Sequence, residues 1–338
     1  MTRQSERKRI RLGITMGDPT GIGPEIILKV LISDLIPSDT ELIIFGNPYL
    51  LKDQGSFLGV PVVFSGTKAQ QKLLIRDISY NLVDPTDWKD NLILPGRPDS
   101  SLARGILRCI DSAVMWALDG KLHGVVTAPL SKEIIRRGGF QGFSGHTEYL
   151  AQLTGAKRPV MMLTTDKLKV VLATMHKPFQ EIIPSLTDEL LISTIYQTHN
   201  WFVDFFDFNP QIALAALNPH AGEGGTLGKE ENTLLNQVIK TVQKDGITVD
   251  GPFPADTIFR RALQGEWDVV IALYHDQGMI PIKLDPHSVA VNVTLGLPII
   301  RTSVDHGTAF DIAGQGTADP ASLLKAIQYA RKLILTRE

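Results

Sequence analysis

The chain has 338 residues, of which 43% are hydrophobic and 21% charged, and its formal net charge is -2. This length suggests two domains or one large α/β unit with a substantial core. The near-neutral charge does not indicate binding to nucleic acid or to an acidic membrane surface, and no run reaches the ~20 apolar residues of a membrane helix. Cys109 is the single cysteine, so no internal disulfide can form, and the polar N-terminus does not resemble a signal peptide. We therefore expect a soluble cytoplasmic protein in which Cys109 is a small core residue.

Short β-branched runs alternate along the chain with longer amphipathic segments. Strands are predicted at 10–15, 41–46, 60–64, 124–128, 159–163, 169–174, 212–217, 268–274 and 289–295. Helices are predicted at 22–33, 101–119, 146–154, 187–203, 228–243, 256–264 and 320–335. Asp319 is the expected N-cap of the last helix, with Pro320 as its first residue. The alternation predicts an α/β fold with a mainly parallel sheet, and no linker marks a domain boundary.

Three of the predicted strands lead to a histidine: His176, His220 and His275. Ligand sites in open α/β sheets lie at the carboxyl ends of strands, and neutral imidazole is the commonest ligand of transition metals. Three protein ligands leave a position for water or substrate in a catalytic site. A single histidine after a strand is usually only a polar surface residue, but three strands that end in the same way favour a metal-dependent enzyme.

Two further segments are candidate loops for binding. Met16–Glu25 follows the first strand and is equally compatible with a structural turn and with a binding loop, because it matches neither GxGxxG nor a Walker loop. In Ser144–Tyr149, Ser144 or Thr147 can cap a helix whose free N–H groups, together with His146, would form an anion site.

Polar residues also accompany the last two metal-ligand candidates. Asn218 and Glu223 could order the Gly-rich loop around His220, and Asp256 is expected to cap a helix. Asp276 follows His275 directly, and Lys283 could hold a phosphate or donate a proton.

The C-terminal part of the sequence contains polar groups and a segment of small residues. Asn292 and Arg301 lie within or at the ends of apolar runs, and an arginine fork suits phosphate or carboxylate. The segment from Gly307 to Thr317 would let a nucleotide approach the backbone, although it lacks the Rossmann fingerprint. Its candidate cofactor-binding residues are Gly307, Thr308, Gly314, Gly316 and Thr317. His123, His199 and His287 are predicted to be structural or surface residues.

Six segments are diagnostic when they are taken together and in order: GDPTGIGPE, GHTEYLA, LNPHAGEGG, GPFPADT, YHDQGMIPIK and SVDHGTAFDIAGQGTADP. This set resembles the 4-hydroxythreonine-4-phosphate dehydrogenase family of vitamin B6 biosynthesis, from about Ile10 to the C-terminal helix. One departure is Lys177-Pro178-Phe179-Gln180, which adds a positive charge where a more apolar stretch is expected.

The resemblance implies a fold of the isocitrate/isopropylmalate dehydrogenase group, in which two discontinuous α/β/α lobes surround a cleft within a single catalytic unit. It implies a homodimer with the active site shared between subunits, where one subunit supplies the first two metal ligands and its partner the third. The implied metal ligands are His176, His220 and His275, and the implied substrate-binding residues are His146, Thr147, Lys283, Asn292 and Arg301. The implied cofactors are NAD or NADP and a divalent ion: zinc, magnesium or cobalt.

The implied reaction is oxidation of 4-phosphohydroxy-L-threonine at C3, followed by decarboxylation to 3-amino-2-oxopropyl phosphate. Lys283 is the candidate to protonate or stabilise the enolate left by CO2, and Asp256 or Asp276 could orient metal ligands. The nearest alternative is a dehydrogenase of 4-phosphothreonate or 4-phosphoerythronate. A metal-dependent hydrolase and a non-catalytic phosphometabolite-binding protein are more distant alternatives. The choices between NAD and NADP and among the metals stay open.

Overall fold

The computed structural model describes residues 9–67, 70–88, 93–284 and 289–337. The prediction for His287, and most of the basic N-terminal segment, lie outside these ranges. In the described ranges, no helix combines the length and the apolar character that crossing a membrane requires.

The strands are short, with four to six residues each. In chain order they are β1 (Ile10–Thr15), β2 (Thr40–Phe45), β3 (Val62–Thr67), β4 (Gln70–Ile75), β5 (Ile78–Val83), β6 (Gly124–Thr127), β7 (Val160–Thr164), β8 (Lys169–Leu172), β9 (Ile212–Ala215), β10 (Val249–Phe253), β11 (Val269–Ala272), β12 (Val291–Leu295) and β13 (Ile300–Ser303).

Helices connect most of the strands. In chain order they are α1 (Gly23–Leu31), α2 (Pro48–Phe57), α3 (Ala103–Leu118), α4 (Lys132–Arg137), α5 (His146–Thr154), α6 (Phe179–Ser185), α7 (Asp188–Phe206), α8 (Asn236–Gln243), α9 (Ala255–Leu263), α10 (His275–Lys283) and α11 (Ala321–Arg337). Together with the strands they confirm the predicted α/β class.

The chain divides into two compact units. The first unit comprises Met1–Ala156 and Leu297–Thr336, and the second is the continuous segment Lys157–Gly296. The chain therefore leaves the first unit once and returns to it once.

The first unit contains strands in the order β13-β6-β1-β2-β5-β4-β3. Neighbours from β13 to β5 are parallel, whereas β4 runs antiparallel to both β5 and β3. Apolar residues such as Leu12 and Ile14 of β1 are fully buried, as expected for central parallel strands.

The second unit contains strands in the order β10-β9-β11-β8-β7-β12. Strands β10, β9, β11 and β8 are parallel to one another, and β7 is antiparallel to both β8 and β12. Its core includes Val170 of β8, Ala213 of β9 and Val270 of β11, packed against Ile258 and Phe259 of α9. This parallel core fixes where the loops after β8, β9 and β11 emerge.

Several elements were not predicted, for identifiable physical reasons. Strands β4 and β5 lack an apolar run, because β4 alternates buried and exposed residues. Strand β13 carries a buried Arg301, and α10 contains Gly278 and Pro281, which are ordinarily helix-breaking.

Three capping predictions can be compared with the structure. Asp319 accepts a hydrogen bond from the Ala321 N–H at 2.9 Å, which confirms its role at the start of α11. The predictions for the other two helices were wrong. Gly145 occupies the N-cap of α5 without a side-chain hydrogen bond, so neither Ser144 nor Thr147 caps it. Pro254 precedes α9, and Asp256 lies inside its first turn.

Candidate functional site

The three histidines follow the carboxyl ends of neighbouring parallel strands in the second unit. Strands β9, β11 and β8 are adjacent, and their last residues are Ala215, Ala272 and Leu172. His220, His275 and His176 come a few residues later in each case. The parallel arrangement thus directs all three histidine-bearing loops to the same edge of the sheet.

His176 and His275 lie side by side. Their ring centroids are 5.4 Å apart and the rings are inclined by 38°. His275 Nδ1 lies 2.6 Å from Asp276 Oδ1. In a neutral ring, a hydrogen bond from Nδ1 to this carboxylate leaves Nε2 as the nitrogen that can bind a metal.

His220 lies in a left-handed turn. Its φ is +51°, and Ala221, Gly222, Glu223 and Gly224 also have positive φ. His176 has a φ of +36°. Left-handed backbone is costly for residues other than glycine, so the surrounding structure must stabilise these conformations.

A buried glutamate anchors the start of the turn. Glu231 Oε1 accepts hydrogen bonds from the N–H groups of Leu217 and Asn218, at 3.0 and 2.8 Å. Asn218 Nδ2 donates to Glu231 Oε2 at 2.9 Å and to Glu230 Oε2 at 2.8 Å. The predicted ordering role of Asn218 therefore has a structural counterpart, whereas Glu223 is exposed. Glu231 was not predicted as a site residue; an acid that follows a Gly-rich loop was the available signal.

The imidazole donors are of a kind that binds a divalent metal. Two imidazoles that share a tetrahedral ion have ring centroids about 5 Å apart, from metal–nitrogen bonds of about 2 Å. His176 and His275 match that separation. Nevertheless, within the described ranges of a single chain, no group of three His, Cys, Asp or Glu residues could hold a metal.

Two cavities adjoin these histidines in the second unit. The smaller has a volume of about 130 Å³ and is lined by His176, His275, Lys177, Phe179 and Tyr274, among others. Lys177 therefore does add a positive charge close to the two histidines, as expected from the sequence.

The larger cavity has a volume of about 830 Å³ and contains both candidate catalytic carboxylates, Asp256 and Asp276, in its lining. Phe259, Ile280 and Pro281 give it apolar walls. Lys283, at the end of α10, is exposed.

The substrate candidates of the first unit form a second group. Arg301 is buried in β13, and its Nη2 donates to Thr127 Oγ1 at 2.7 Å. Burial lowers the pKa of Arg301 to about 9, and the charge of Glu148 opposes this effect. A buried guanidinium of this kind suits an anionic ligand.

His146 is the first residue of α5, and the positive charge of Arg301 affects its pKa. Its pKa is well below the usual range because of burial and because of the positive charges of Arg301 and Lys132. Its Nε2 atom is shielded from solvent and has no hydrogen-bond partner among the residues that the structure describes. Neighbouring Thr147 is buried. A neutral imidazole with an unsatisfied buried nitrogen can hydrogen-bond a ligand.

Asn292 lies in the second unit, within the sheet. Its register partner in β7 is Leu163, and the register partner of Leu163 in β8 is Val170. The histidines follow the ends of the strands, so Asn292 does not share their loops. Within the described ranges, its Oδ1 atom is shielded from solvent and has no hydrogen-bond partner.

The candidate cofactor segment packs against the first unit's own α1. Gly316 N–H and Ala318 N–H donate to Glu25, and Lys29 Nζ donates to the carbonyl oxygens of Gly316 and Ala318 at 2.8 and 2.6 Å. Thr308 O accepts from Ile22 N–H at 3.0 Å. These backbone groups are already engaged within the chain.

The glycines of that segment differ in their surroundings. A Cβ on Gly314 would meet Pro95, and one on Gly316 would meet Phe57. Gly307 faces open space. Gly314 and Gly316 therefore have a packing role, and Gly307 is the glycine best placed for a ligand to approach. Thr317 is exposed.

Of the three histidines predicted to be structural or surface residues, His123 and His199 lie within the described ranges. His123 Nδ1 accepts from the Arg11 N–H at 2.8 Å, which joins two parts of the first unit. His199 lies within α7, and burial lowers its pKa. Cys109 is completely buried, as predicted for a core residue, and burial raises the pKa of its thiol well above the usual range.

Comparison with known proteins identifies the family. The sequence profile described as "Pyridoxal phosphate biosynthetic protein PdxA" matches residues 38–330. The chain belongs to the PdxA family. This confirms the family that the six sequence segments indicated.

Two relatives illustrate the range of names among proteins similar to this PdxA-family chain. A 4-hydroxythreonine-4-phosphate dehydrogenase of Caulobacter vibrioides is 41% identical over 333 residues, covering 96% of this chain and 98% of the relative. A D-threonate 4-phosphate dehydrogenase of Cupriavidus necator is 39% identical over 331 residues, with the same coverage of 96% and 98%.

A solved PdxA-family structure has the same fold. The 4-hydroxythreonine-4-phosphate dehydrogenase of Klebsiella pneumoniae matches with a TM-score of 0.84 and 33% identity, covering 96% of this chain and 99% of that one. The arrangement of strands described above is therefore that of a known PdxA-family enzyme.

Proposed function

We propose that this PdxA-family chain is a metal-dependent, NAD(P)-linked 4-hydroxythreonine-4-phosphate dehydrogenase of pyridoxine 5'-phosphate biosynthesis. It would oxidise 4-phosphohydroxy-L-threonine at C3, and decarboxylation would then give 3-amino-2-oxopropyl phosphate. The observation that carries the proposal is that His176, His220 and His275 follow the carboxyl ends of three neighbouring parallel strands. The name of the 41% identical relative supports the choice of substrate.

His176, His220 and His275 would hold the divalent ion, which is zinc, magnesium or cobalt. When bound, the ion supplies Lewis acidity that lowers the pKa of the substrate hydroxyl, and NAD or NADP accepts the hydride from C3. Asp276 fixes the ring of His275 through the 2.6 Å contact and so acts as a positioning residue. Asp256 lines the same larger cavity and is the alternative carboxylate for this task.

The anionic groups of the substrate would be bound by the residues whose polar atoms are buried. Arg301 and His146 provide a buried cation and a buried imidazole nitrogen, and Thr147 adds a hydroxyl beside them. Asn292 contributes a shielded amide oxygen. Exposed Lys283 is the proposed donor of the proton to the carbon that loses CO2.

We place the dinucleotide near Gly307 and Thr308. Gly307 is open to an approaching ligand, whereas Gly314, Gly316 and Thr317 would shape the segment that carries it. The choice between NAD and NADP is part of the experiment below. The buried, unpaired thiol of Cys109 is compatible with the cytoplasm, where thiols stay reduced.

We further propose a homodimer with an active site shared between subunits. Two observations support it: one chain does not assemble a three-ligand group in its described residues, and large apolar side chains are exposed beside His176. Phe179 is 76% exposed, and Ile183 on the same helix is also exposed. Exposed apolar side chains of this size are typical of a subunit contact.

A second candidate substrate is D-threonate 4-phosphate. The relative that carries this name is 39% identical, against 41% for the hydroxythreonine phosphate dehydrogenase, so overall similarity does not separate the two substrates. They differ in the group at C2, an amine in one and a hydroxyl in the other.

One assay tests both candidates. Reduction of NAD and of NADP is followed at matched concentrations of the two substrates, before and after removal of metal with a chelator and after its restoration. Faster, metal-dependent turnover of 4-phosphohydroxy-L-threonine supports the proposal and selects the cofactor. If the folded, metal-loaded protein turns over only D-threonate 4-phosphate, the second candidate replaces the first. Turnover that survives complete chelation would contradict the metal dependence.

A further inference from the structure

A cavity of about 590 Å³ lies on one face of the first unit's sheet, away from the residues discussed above. Its floor is formed by β2, β5 and β4, and Trp116 at the end of α3 and Lys121 form one wall. Strand β5 is four strand spacings from β13, which carries Arg301. At about 4.8 Å per spacing this amounts to about 19 Å. Arg11 on β1 is two strand spacings from β13, and neither Arg301 nor His146 lines the cavity.

The charges around this cavity are predominantly positive. Arg11, Lys72 and Lys121 line it, against the single carboxylate of Glu41. Glu41 accepts a hydrogen bond from Asn81, and no ion pair joins it to Arg11 in the described ranges, although the two residues are register partners. Arg11 Nη2 instead donates to Gly120 O at 3.1 Å, which brings the guanidinium next to Lys121.

The three cations are not equally neutralised. Lys121 forms an ion pair with Asp119 at 2.9 Å. Arg11 and Lys72 have no carboxylate within ion-pair distance among the residues that the structure describes. Lys72 is level with Asn81 on the adjacent strand. Three cations and one carboxylate thus line the cavity, so its lining carries a net positive charge, which suits a phosphate.

An aromatic ring forms the remaining feature. The Trp116 ring packs edge-on against Phe45, with centroids 5.4 Å apart, and Lys121 Nζ lies 5.7 Å from its centroid. The edge contact holds the indole in place and leaves it as part of the cavity lining. Tryptophan binds flat π-systems well, and a volume of this size is within the range of about 300–1,000 Å³ for small-molecule sites.

From this combination we propose that the cavity is a second ligand site of the protein, for a planar aromatic phosphate of mononucleotide size. The phosphate would lie beside Arg11 and Lys121, with Lys72 adding a more distant positive charge, and the ring would stack on Trp116. This site does not depend on the proposed dehydrogenase activity, since it shares no residue with that site.

Calorimetric titration of the full-length protein with adenosine monophosphate tests the proposal, with adenosine and inorganic phosphate as partial ligands. We expect saturable binding of the monophosphate, and binding of each partial ligand that is weaker by about tenfold or more, because each makes only one of the two contacts. The double variant Lys72→Ala/Lys121→Ala should weaken monophosphate binding about tenfold, and higher salt should weaken it further. Trp116→Leu should reduce the affinity to that of inorganic phosphate.

The matched control is Lys52→Ala/Lys240→Ala, which removes two exposed lysines outside the cavity and should leave binding unchanged. Thermal unfolding of each variant verifies that it is folded; Lys72→Ala/Lys121→Ala alters only strand-surface and loop side chains, so it serves as the test if Trp116→Leu is unstable. Three outcomes would overturn the proposal: no saturable binding, binding that the double variant leaves intact, or inorganic phosphate binding as tightly as the monophosphate.

Discussion

At the residue scale, the backbone around His220 is the most unusual local feature. Ala221 and Glu223 adopt left-handed φ values of +54° and +43°, a region in which a Cβ is unfavourable. Such conformations persist where the surrounding contacts fix them, and they are concentrated at functional sites. The sequence predicted the histidine but not its conformation, because the glycines around it are compatible with many turns.

Replacement of Ala221 by glycine should therefore stabilise the protein. We expect the free energy of unfolding to increase by about 1 kcal/mol, since relief of the left-handed strain exceeds the greater flexibility of the unfolded chain. Urea denaturation measures the change. Ala117→Gly, within α3, is the matched control and should destabilise by about 1 kcal/mol or somewhat less. Equal destabilisation by both substitutions would contradict the role of strain at Ala221.

Asp276 is predicted to act on the metal through His275. Asp276→Asn should lower zinc affinity by about 10–100-fold, because a neutral amide holds the imidazole less strongly than a carboxylate. Competition with a chromophoric chelator measures the affinity. Asp256→Asn removes a carboxylate from the lining of the same larger cavity and is the control. If the two variants bind zinc equally well, Asp276 does not position the ligand.

The buried carboxyl of Asp18 should make stability depend on pH. Burial raises its pKa above the ordinary value of 3.8, and hydrogen bonds from Thr20 oppose that effect. A folded-state pKa above the unfolded one stabilises the fold at pH values below the unfolded pKa, and this contribution is lost as the pH rises through the folded pKa. Asp18→Asn keeps an oxygen for the Thr20 N–H, so its stability relative to the native protein should improve from acidic to neutral pH. Unfolding curves across that range measure the difference, and a difference that does not vary with pH would count against it.

At the element scale, strand β13 shows that a buried charged residue can prevent the prediction of a strand from its apolar pattern. Arg301 interrupts the apolar run that would predict β13, yet it is buried and paired with Thr127. Helix α10 is similarly difficult to predict from the sequence because it contains Gly278 and Pro281. Its first residue, His275, is a metal-ligand candidate. Elements with regular apolar patterns were predicted, including α5 with His146 and β12 with Asn292. Strand β13 and helix α10 were missed because a charged residue in the first, and Gly278 and Pro281 in the second, interrupt the pattern.

Arg301→Met should separate stability from ligand binding. Without anions, the variant should unfold at the same temperature as the native protein or a higher one, because it removes a buried charge whose pKa is lowered to about 9. Inorganic phosphate should raise the unfolding temperature of the native protein but not that of the variant. Differential scanning calorimetry with and without phosphate measures both effects, and Arg108→Met on α3, where the side chain is partly exposed, is the control. An equal response of Arg301→Met and native protein to phosphate would exclude Arg301 from the anion site.

At the scale of the whole molecule, the site candidates are divided between the two units. The histidines, Lys283 and Asn292 belong to Lys157–Gly296, whereas His146, Arg301 and the segment from Gly307 belong to the first unit. The sequence predicted the chemistry of both groups from local motifs. It did not predict the boundary, because the chain passes between the units without a linker of distinctive composition.

Sharing of the site between subunits can be tested by mixing inactive variants. His176→Ala and His275→Ala chains, each inactive alone, should regain partial activity in a mixed dimer, because one of its two sites would receive His176 from one subunit and His275 from the other. Tagged chains purified in tandem give the heterodimer, and each variant reassembled with itself is the control. The close approach of the two rings in one chain makes the opposite outcome equally informative. If confirmed heterodimers stay inactive, both histidines serve the same site from one subunit.

The second unit interrupts the first in the sequence, and this affects the order in which the strands of the first unit are synthesised. Strand β6 ends at Thr127, but its neighbour β13 begins only at Ile300, after the whole second unit. At about 5–20 residues per second, a ribosome needs roughly ten to thirty seconds to synthesise the intervening segment. Throughout that interval the nascent chain has an unpaired edge at Val125 and Val126, which are buried once β13 is in place. Completion of the first unit's sheet therefore waits until the second unit has been synthesised.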